Sequence, residues 1–421
     1  MKRYDTYKDS GVQWLGEIPG HWEKKRLAAL FTGDVDSNKD FRFKHAFKFN
    51  YGSLVLKDEI GDPEEYRDIY VKYSIVNKGD ILINGLNLNY DFISQRVACA
   101  PSDGIITSAY VVCRPRTSVN YDYYTYLFKS MDCMKLFHGM GTGIRLTLSF
   151  KELKRQLLPV PPLSEQRSIV SYLDDKCGKI DEWVTKKQKE VEHLQELKQR
   201  VIADAVTRGL NPHVKMKATN IPWLKEIPEH WEVLRNKSIL RLTDEKVGNR
   251  NDLNLLSLTK QGVIIRDLSE GKGKFPKDFE TYLVVRPNNL VFCLFDIDET
   301  PRTVGLVRNY GMLTGAYTNF EVNEDIVLPE YVYCYYLQID DVKGLRPYYT
   351  GLRKVVKTNT FLQLRMPVPP LSEQRSIVSY LDAKCAKIDK LITNITKEIE
   401  CIKEYKQRLI SDVVKGQIKV C

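Results

Sequence analysis

No apolar run in this chain approaches the ~18 residues that a transmembrane helix needs. The first residues, Met1-Lys2-Arg3-Tyr4-Asp5, are polar and lack the apolar stretch of a secretory signal. Both features predict a protein that stays in the cytosol. The nine cysteines include no C-x-x-C pair. In a reducing compartment they read as small buried hydrophobes, neither disulfides nor a zinc site. The six histidines, His21, His45, His138, His193, His213 and His230, form no H-x-x-x-H pair. Gly139, Gly141 and Gly143 have the wrong spacing for a dinucleotide or phosphate loop, and Phe275 after Gly273-Lys274 breaks a P-loop. Nothing upstream of Asp244-Glu245-Lys246 completes a nuclease pattern. The Pro-Pro dipeptides sit in V-P-P-L, not in the N-P-P-aromatic context with which adenine methyltransferases grip a flipped base. The expectation is a chain with no catalytic site, no metal and no cofactor of its own.

What remains is a basic globular protein. Its 421 residues suggest two to four domains, and 43% hydrophobic with 28% charged residues is enough for a real core. The net charge of +10 is shared, +4 up to Leu210 and +6 beyond it, so neither half is a basic tail. Two mildly basic halves point to an anionic partner such as nucleic acid.

The strongest signal is an internal repeat. Pro159 to Asp174 reads PVPPLSEQRSIVSYLD, and Pro367 to Asp382, 208 residues later, is identical at all 16 positions. Upstream, WLGEIPGHWE at Trp14 to Glu23 matches WLKEIPEHWE at Trp223 to Glu232 in 8 of 10 positions. Thr142-Gly143-Ile144-Arg145 echoes Thr350-Gly351-Leu352-Arg353, and Tyr51-Gly52 echoes Gln261-Gly262. Between these anchors the halves barely align. A period this long excludes a solenoid and reads as duplication of a domain-plus-helix unit. His21-Trp22 and His230-Trp231 recur at the domain entrances and read as packing residues.

Each shared segment opens a long helix. Pro161-Pro162 closes the preceding domain, with Ser164-Glu165 and Ser372-Glu373 as candidate N-caps. About 45 helical residues would span roughly 67 Å. A heptad runs through both copies. In the first, the seam is Leu173, Ile180, Lys187, Leu194 and Val201 beside Cys177, Val184, Val191, Lys198 and Ala205. In the second it is Leu381, Ile388, Ile395, Ile402 and Leu409 beside Cys385, Ile392, Ile399, Lys406 and Val413. That is a coiled-coil seam whose lysines cost stability but set register. The second helix leaves the second domain, so it must run back along the first, antiparallel to it.

The expected fold class is α+β: two globular domains joined by two long antiparallel coiled-coil helices, a pseudo-two-fold tandem repeat. The segments are 1–160 and 211–368 for the domains and 161–210 and 369–421 for the helices. Strands are expected at Gly79–Ile83, Ile106–Cys113, Asn289–Phe292 and Val304–Val307, and helices at Tyr121–Phe137 and Pro329–Leu337. Polar loops carry the candidate DNA contacts. In the first half these are Lys48, Asn50, Tyr51, Asn87, Asn89, Tyr90, Gln95, Arg96 and Arg145. In the second they are Lys260, Gln261, Arg302, Arg346, Arg353 and Lys354. Arg reads guanine, Asn and Gln read adenine, and Lys or Arg hold phosphates.

The two EIP-x-HWE entrances and the two PPLSEQRSIVSYLD helix starts closely resemble those of specificity subunits of type I restriction–modification systems, over essentially the whole chain. The resemblance implies two target recognition domains, each reading one half of an asymmetric, bipartite DNA site with an unread spacer between the halves. It implies docking of methyltransferase subunits, two of them expected, which use S-adenosylmethionine. A motor-nuclease subunit using ATP and magnesium can join. The alternative is a stand-alone DNA-binding regulator or defence protein of the same architecture.

Overall fold

The computed structural model describes residues 2–57, 62–93, 95–116, 119–143, 146–250, 252–266 and 279–420. The chain forms two compact units, Met1–Lys187 with Lys397–Cys421, and Gln188–Thr396. It is an α+β protein in which each unit repeats one plan.

In the first unit a four-stranded antiparallel sheet has the order Phe31–Thr32, Val111–Pro115, Ile81–Ile83, Val97–Cys99. In the second the order is Leu240–Thr243, Thr318–Val322, Leu290–Phe292, Val304–Leu306. The short central strands are apolar at every position, as strands covered on both faces must be. A hairpin accompanies each sheet: Phe47–Asn50 with Ser53–Leu56, and Leu256–Thr259 with Gly262–Ile265. Gly52 and Gly262 take φ of 76° and 108° in the two turns, where a side chain would be strained. The expected strand at Ile106–Cys113 is broken. Ile106 ends one strand, and Val111 begins the next after a turn in which Thr107 Oγ1 accepts from the Ala109 N–H.

A helix packs on each sheet, Tyr121–Cys133 and Pro329–Asp341. Asn120 caps the first through the Tyr123 N–H, and Pro329 opens the second. The first stops short of Phe137 because Lys135 turns left-handed (φ 58°), as Lys343 does in the second unit (φ 50°). The cores gather around Trp22, Phe31, Tyr124 and Phe128 in one unit and Trp231, Phe292, Tyr336 and Phe361 in the other.

The long helices are Leu163–Arg208 and Leu371–Val414. Both start before the expected caps, so Ser164 and Ser372 lie in the first turn. Each helix is shared between the units. In the first unit Ile169 and Leu173 of one helix, and Leu409, Val413 and Val414 of the other, enter the same core. In the second, Ile377 and Leu381 meet Ile202, Ala205 and Val206. Each fully buried side chain of this kind contributes about 1.5–3 kcal/mol. All the seam residues are buried or half-buried: Leu173, Ile180, Val184, Val191, Leu194 and Val201, then Leu381, Ile388, Ile392, Ile395, Ile399, Ile402 and Leu409. Within each unit the helices run antiparallel. Lys406 Nζ binds both carboxylate oxygens of Asp181 at 2.6 and 2.7 Å. In the other unit Lys198 Nζ binds Asp389 twice at 2.7 Å. Two of the seam lysines, Lys198 and Lys406, therefore reach a fixed acidic partner on the opposite helix. Among the described residues no helix is long and apolar enough to cross a membrane.

Candidate nucleic-acid interface

The repeated motifs build a clasp that holds each domain on its helix. The strand after the entrance, Glu23–Arg26, pairs with Leu157–Val160 just before the long helix, so the ends of the domain are tied together. Glu232–Arg235 and Arg365–Val368 do the same. Glu165 accepts the indole N–H of the fully buried Trp22 at 2.9 Å and contacts His21 Nε2 at 2.5 Å. Glu373 makes the same contacts with Trp231, at 3.1 Å, and His230, at 2.7 Å. These glutamates bind the entrance instead of capping the helix. The adjacent Gln166 donates to Pro161 O and accepts from the Asn120 N–H, tying the long helix to the start of the domain helix. Gln374 links Pro369 O to the Leu328 N–H in the same way.

Away from this clasp, three loops meet in each unit. In the first, the Leu88 N–H donates to Leu146 O and the Leu148 N–H to Gly85 O, joining the segment after Ile83 to the Thr142–Thr147 hairpin. A Cβ at Gly52 would collide with the Gln95 side chain, which sets the Tyr51-Gly52 turn against the same segment. In the second, the Asp296 N–H donates to Arg353 O and the Val356 N–H to Leu294 O, both at 2.9 Å. Here Lys260, from the hairpin turn, lines a cavity of about 350 Å³ with Phe295, Glu299 and Arg302. Residues scattered over about a hundred positions of sequence thus converge in each unit.

The candidates divide by what they touch. Lys48, Asn50, Tyr51, Asn87, Tyr90 and Gln95 are exposed, and Asn89 is half-buried. Lys260, Gln261, Arg346 and Arg353 are exposed; Lys354 and Arg302 are half-buried. Arg145 lies outside the described residues. Arg96 must be corrected: it is fully buried and cannot reach DNA in this arrangement. Its guanidinium donates to the carbonyls of Asn84, Leu86, Asn87 and Asp91, and its own N–H to Asp132 at 2.7 Å. Arg96 organises the loop of residues 84–91 from within. Arg302 is the matching residue, 3.4 Å from Asp341 and 3.6 Å from Asp340. Lys343 supplies the carbonyl contacts in that unit, to Ile297 and Thr300.

The loops differ in charge. Where the first unit has Asn87, Asn89 and Tyr90, the second has Asp296, Asp298 and Glu299. These acids pair with the cations beside them: Arg353 with Asp296 at 2.6 Å, Arg346 with Asp298 at 3.1 Å, Lys354 with Glu299 at 2.8 Å. The hydrogen bond from Arg346 holds the Asp298 carboxyl below the usual carboxylate range. Sequence reasoning missed Phe295, Tyr317 and Leu352, apolar residues among the polar loops. It also missed the Asp132/Lys135 and Asp340/Lys343 echo, whose 208-residue offset was there to be seen.

Residues 19–193 match the family described as the type I restriction modification DNA specificity domain. Two relatives come from Methanocaldococcus jannaschii. The type I restriction enzyme MjaVIII specificity subunit is 25% identical over 394 residues, covering 87% of this chain and 84% of that one. The putative MjaX specificity subunit is 23% identical over 442 residues, covering 96% of both. Among solved structures, a chain from a study of complex assembly and conformational transition of the type I R-M system matches with a TM-score of 0.70 at 14% identity, over 95% of this chain and 99% of that one. The HsdS subunit from Thermoanaerobacter tengcongensis matches with a TM-score of 0.50 at 15% identity, over 95% of this chain and 98% of that one. The first half of the chain thus matches a type I restriction modification DNA specificity domain, and along most of its length the chain is similar to type I restriction enzyme specificity subunits and shares the fold of an HsdS subunit.

Proposed function

We propose that each unit reads one half of an asymmetric, bipartite DNA site, and that the two halves differ. The observation that carries this reading is one framework built twice around unlike loops. Amide and phenol groups at Asn87, Asn89 and Tyr90 favour an adenine-containing edge, since amides pair bidentately with adenine. The carboxylates at Asp296, Asp298 and Glu299 accept from exocyclic amino groups, while Arg346, Arg353 and Lys354 suit guanine or phosphate.

The chain itself is non-catalytic in this reading. Methyltransferase subunits dock on the shared helices and bring S-adenosylmethionine; a motor-nuclease subunit brings ATP and magnesium. An apolar groove in the first unit, lined by Ile180, Trp183, Ile402 and Tyr405 with Lys176 and Lys179 at its edge, is a suitable anchor for such a subunit. Leu391 and Leu197, both exposed, occupy the places of Trp183 and Tyr405 in the second unit, so the anchor is offered twice. An apolar patch that recurs at the repeat-related place of each unit fits two molecules of one partner.

The test is methylome sequencing of cells carrying this chain and its cognate methyltransferase. The expected result is modified adenine in a motif of two unlike half-sites around a fixed gap, lost when this chain is absent. Unchanged methylation with an active methyltransferase would favour a stand-alone DNA-binding protein.

A further inference from the structure

The first unit fills a space that the second leaves open. Phe49 packs edge-on against Tyr110, ring centroids 5.3 Å apart. The matching strand position in the second unit is Leu258, and the matching tyrosine is Tyr317. Leu258 and Tyr317 line the cavity of about 350 Å³, within the ~300–1,000 Å³ range of small-molecule pockets and ample for one nucleobase. Its walls include two aromatic rings, Phe295 and Tyr317, only 20° from parallel with centroids 6.5 Å apart. Two nearly parallel rings lining one cavity offer π-faces to a flat ligand. Lys260 and Arg302 complete the lining, and Arg302 Nε is buried without a hydrogen-bond partner, which leaves a donor to satisfy.

A finger stands beside this cavity. Leu352 is fully exposed at the hairpin tip, after Gly351 (φ 69°). The next residue, Arg353, lies 5.3 Å over the Phe295 ring, and Lys354 binds Glu299 on the cavity lining. The finger is thereby fixed against the cavity wall. An exposed leucine between glycine and arginine has no packing role in the free protein. Apolar side chains of this kind wedge into base stacks when a protein unstacks DNA.

We propose that the second unit takes one nucleobase of its half-site out of the stack. Leu352 fills the gap in the helix, and the base enters the cavity lined by Phe295, Tyr317 and Arg302. The inference rests on the DNA-reading function above and deepens it: this half-site is read partly through how readily one base pair opens. The first unit, with Phe49 in place, reads its half-site without such an extrusion.

The experiment uses the full chain in complex with its methyltransferase and the methylome-defined site. Duplexes carry a mismatch at each position of the second half-site in turn. An extruded base costs less to release when it is already mispaired. One position other than the methylated adenine should therefore bind about tenfold tighter when mismatched. Leu258→Phe, which supplies the ring the first unit has, should abolish that gain and leave any gain at the methylated adenine. Leu352→Ser should reduce it, with melting temperature showing that the variants fold; if Leu258→Phe does not fold, Phe295→Leu takes its place. No tighter position beyond the methylated adenine, or a gain that persists in both cavity and finger variants, overturns the proposal. A complex that binds no specific duplex at all would instead overturn the DNA-reading function on which it rests.

Discussion

At the scale of single residues, the most informative one is Arg96, because its chemistry is used against expectation. An arginine in a polar loop reads as a base contact. Four backbone carbonyls around a buried guanidinium make it the organiser of that loop. Only a planar fork with several donors serves them together. Arg96→Ala should lower unfolding free energy by about 2–4 kcal/mol in denaturant titration, since it strands buried acceptors. Arg96→Lys should recover little of that loss. Glu165 presents the complementary case. Glu165→Ala leaves the buried Trp22 N–H unpaired and should cost about 1–3 kcal/mol, while Glu165→Gln, which keeps an acceptor, should cost about half as much. A thermal melt of both variants checks the difference. Sequence could not separate Arg96 from its exposed neighbours, because burial in a loop leaves no periodic trace. The histidine–tryptophan entrances were legible as packing, though their glutamate partner was mistaken for a cap.

At the scale of elements, the long helices were the most readable part of the chain. A seven-residue apolar period with no proline leaves few alternatives, and the seam residues lie on the less exposed side of each helix. The short strands were harder. Three-residue strands such as Ile81–Ile83 are too brief for alternation to show, and the turn at Thr107–Tyr110 sits between two short apolar runs without a glycine or proline to mark it. The seam lysines make a testable trade. Asp181 is mostly exposed, so its pair with Lys406 contributes no more than about 1 kcal/mol, the expected cost of Asp181→Ala. Lys406→Leu should instead raise the unfolding free energy by roughly 1 kcal/mol, seen as a higher denaturation midpoint, because it completes the apolar seam. Its loss should appear in register: the variant should accept alternative pairings, detectable as broadened melting.

At the scale of the whole molecule, the repeat itself was legible from 16 identical residues, and with it the doubled architecture. The convergence of three loops per unit was not, because those contacts link positions far apart in sequence with no shared pattern. The doubled design also makes spacing adjustable. Excising Lys187–His193 together with Asn394–Glu400 removes one heptad from each long helix and keeps the Asp181–Lys406 and Lys198–Asp389 pairs in register. Seven residues of helix are about 10.5 Å, or about three base pairs at 3.4 Å each. Methylome sequencing of this variant should show the gap shortened by about that amount with both half-sites intact. Altered half-site bases would contradict the division of labour between loops and helices.

The first unit also brings the two ends of the described chain together. The Lys419 N–H donates to Lys2 O, Gln417 binds Glu17 O, and Gly416 lies against Pro19 and Trp22. At the corresponding place in the second unit, Gly209 abuts Trp231 and the chain simply runs on. Within the first unit Lys2 and Lys419 therefore lie side by side. A gene opened between Leu210 and His213, with a short linker closing Lys419 to Lys2, would encode the same two units in the opposite order.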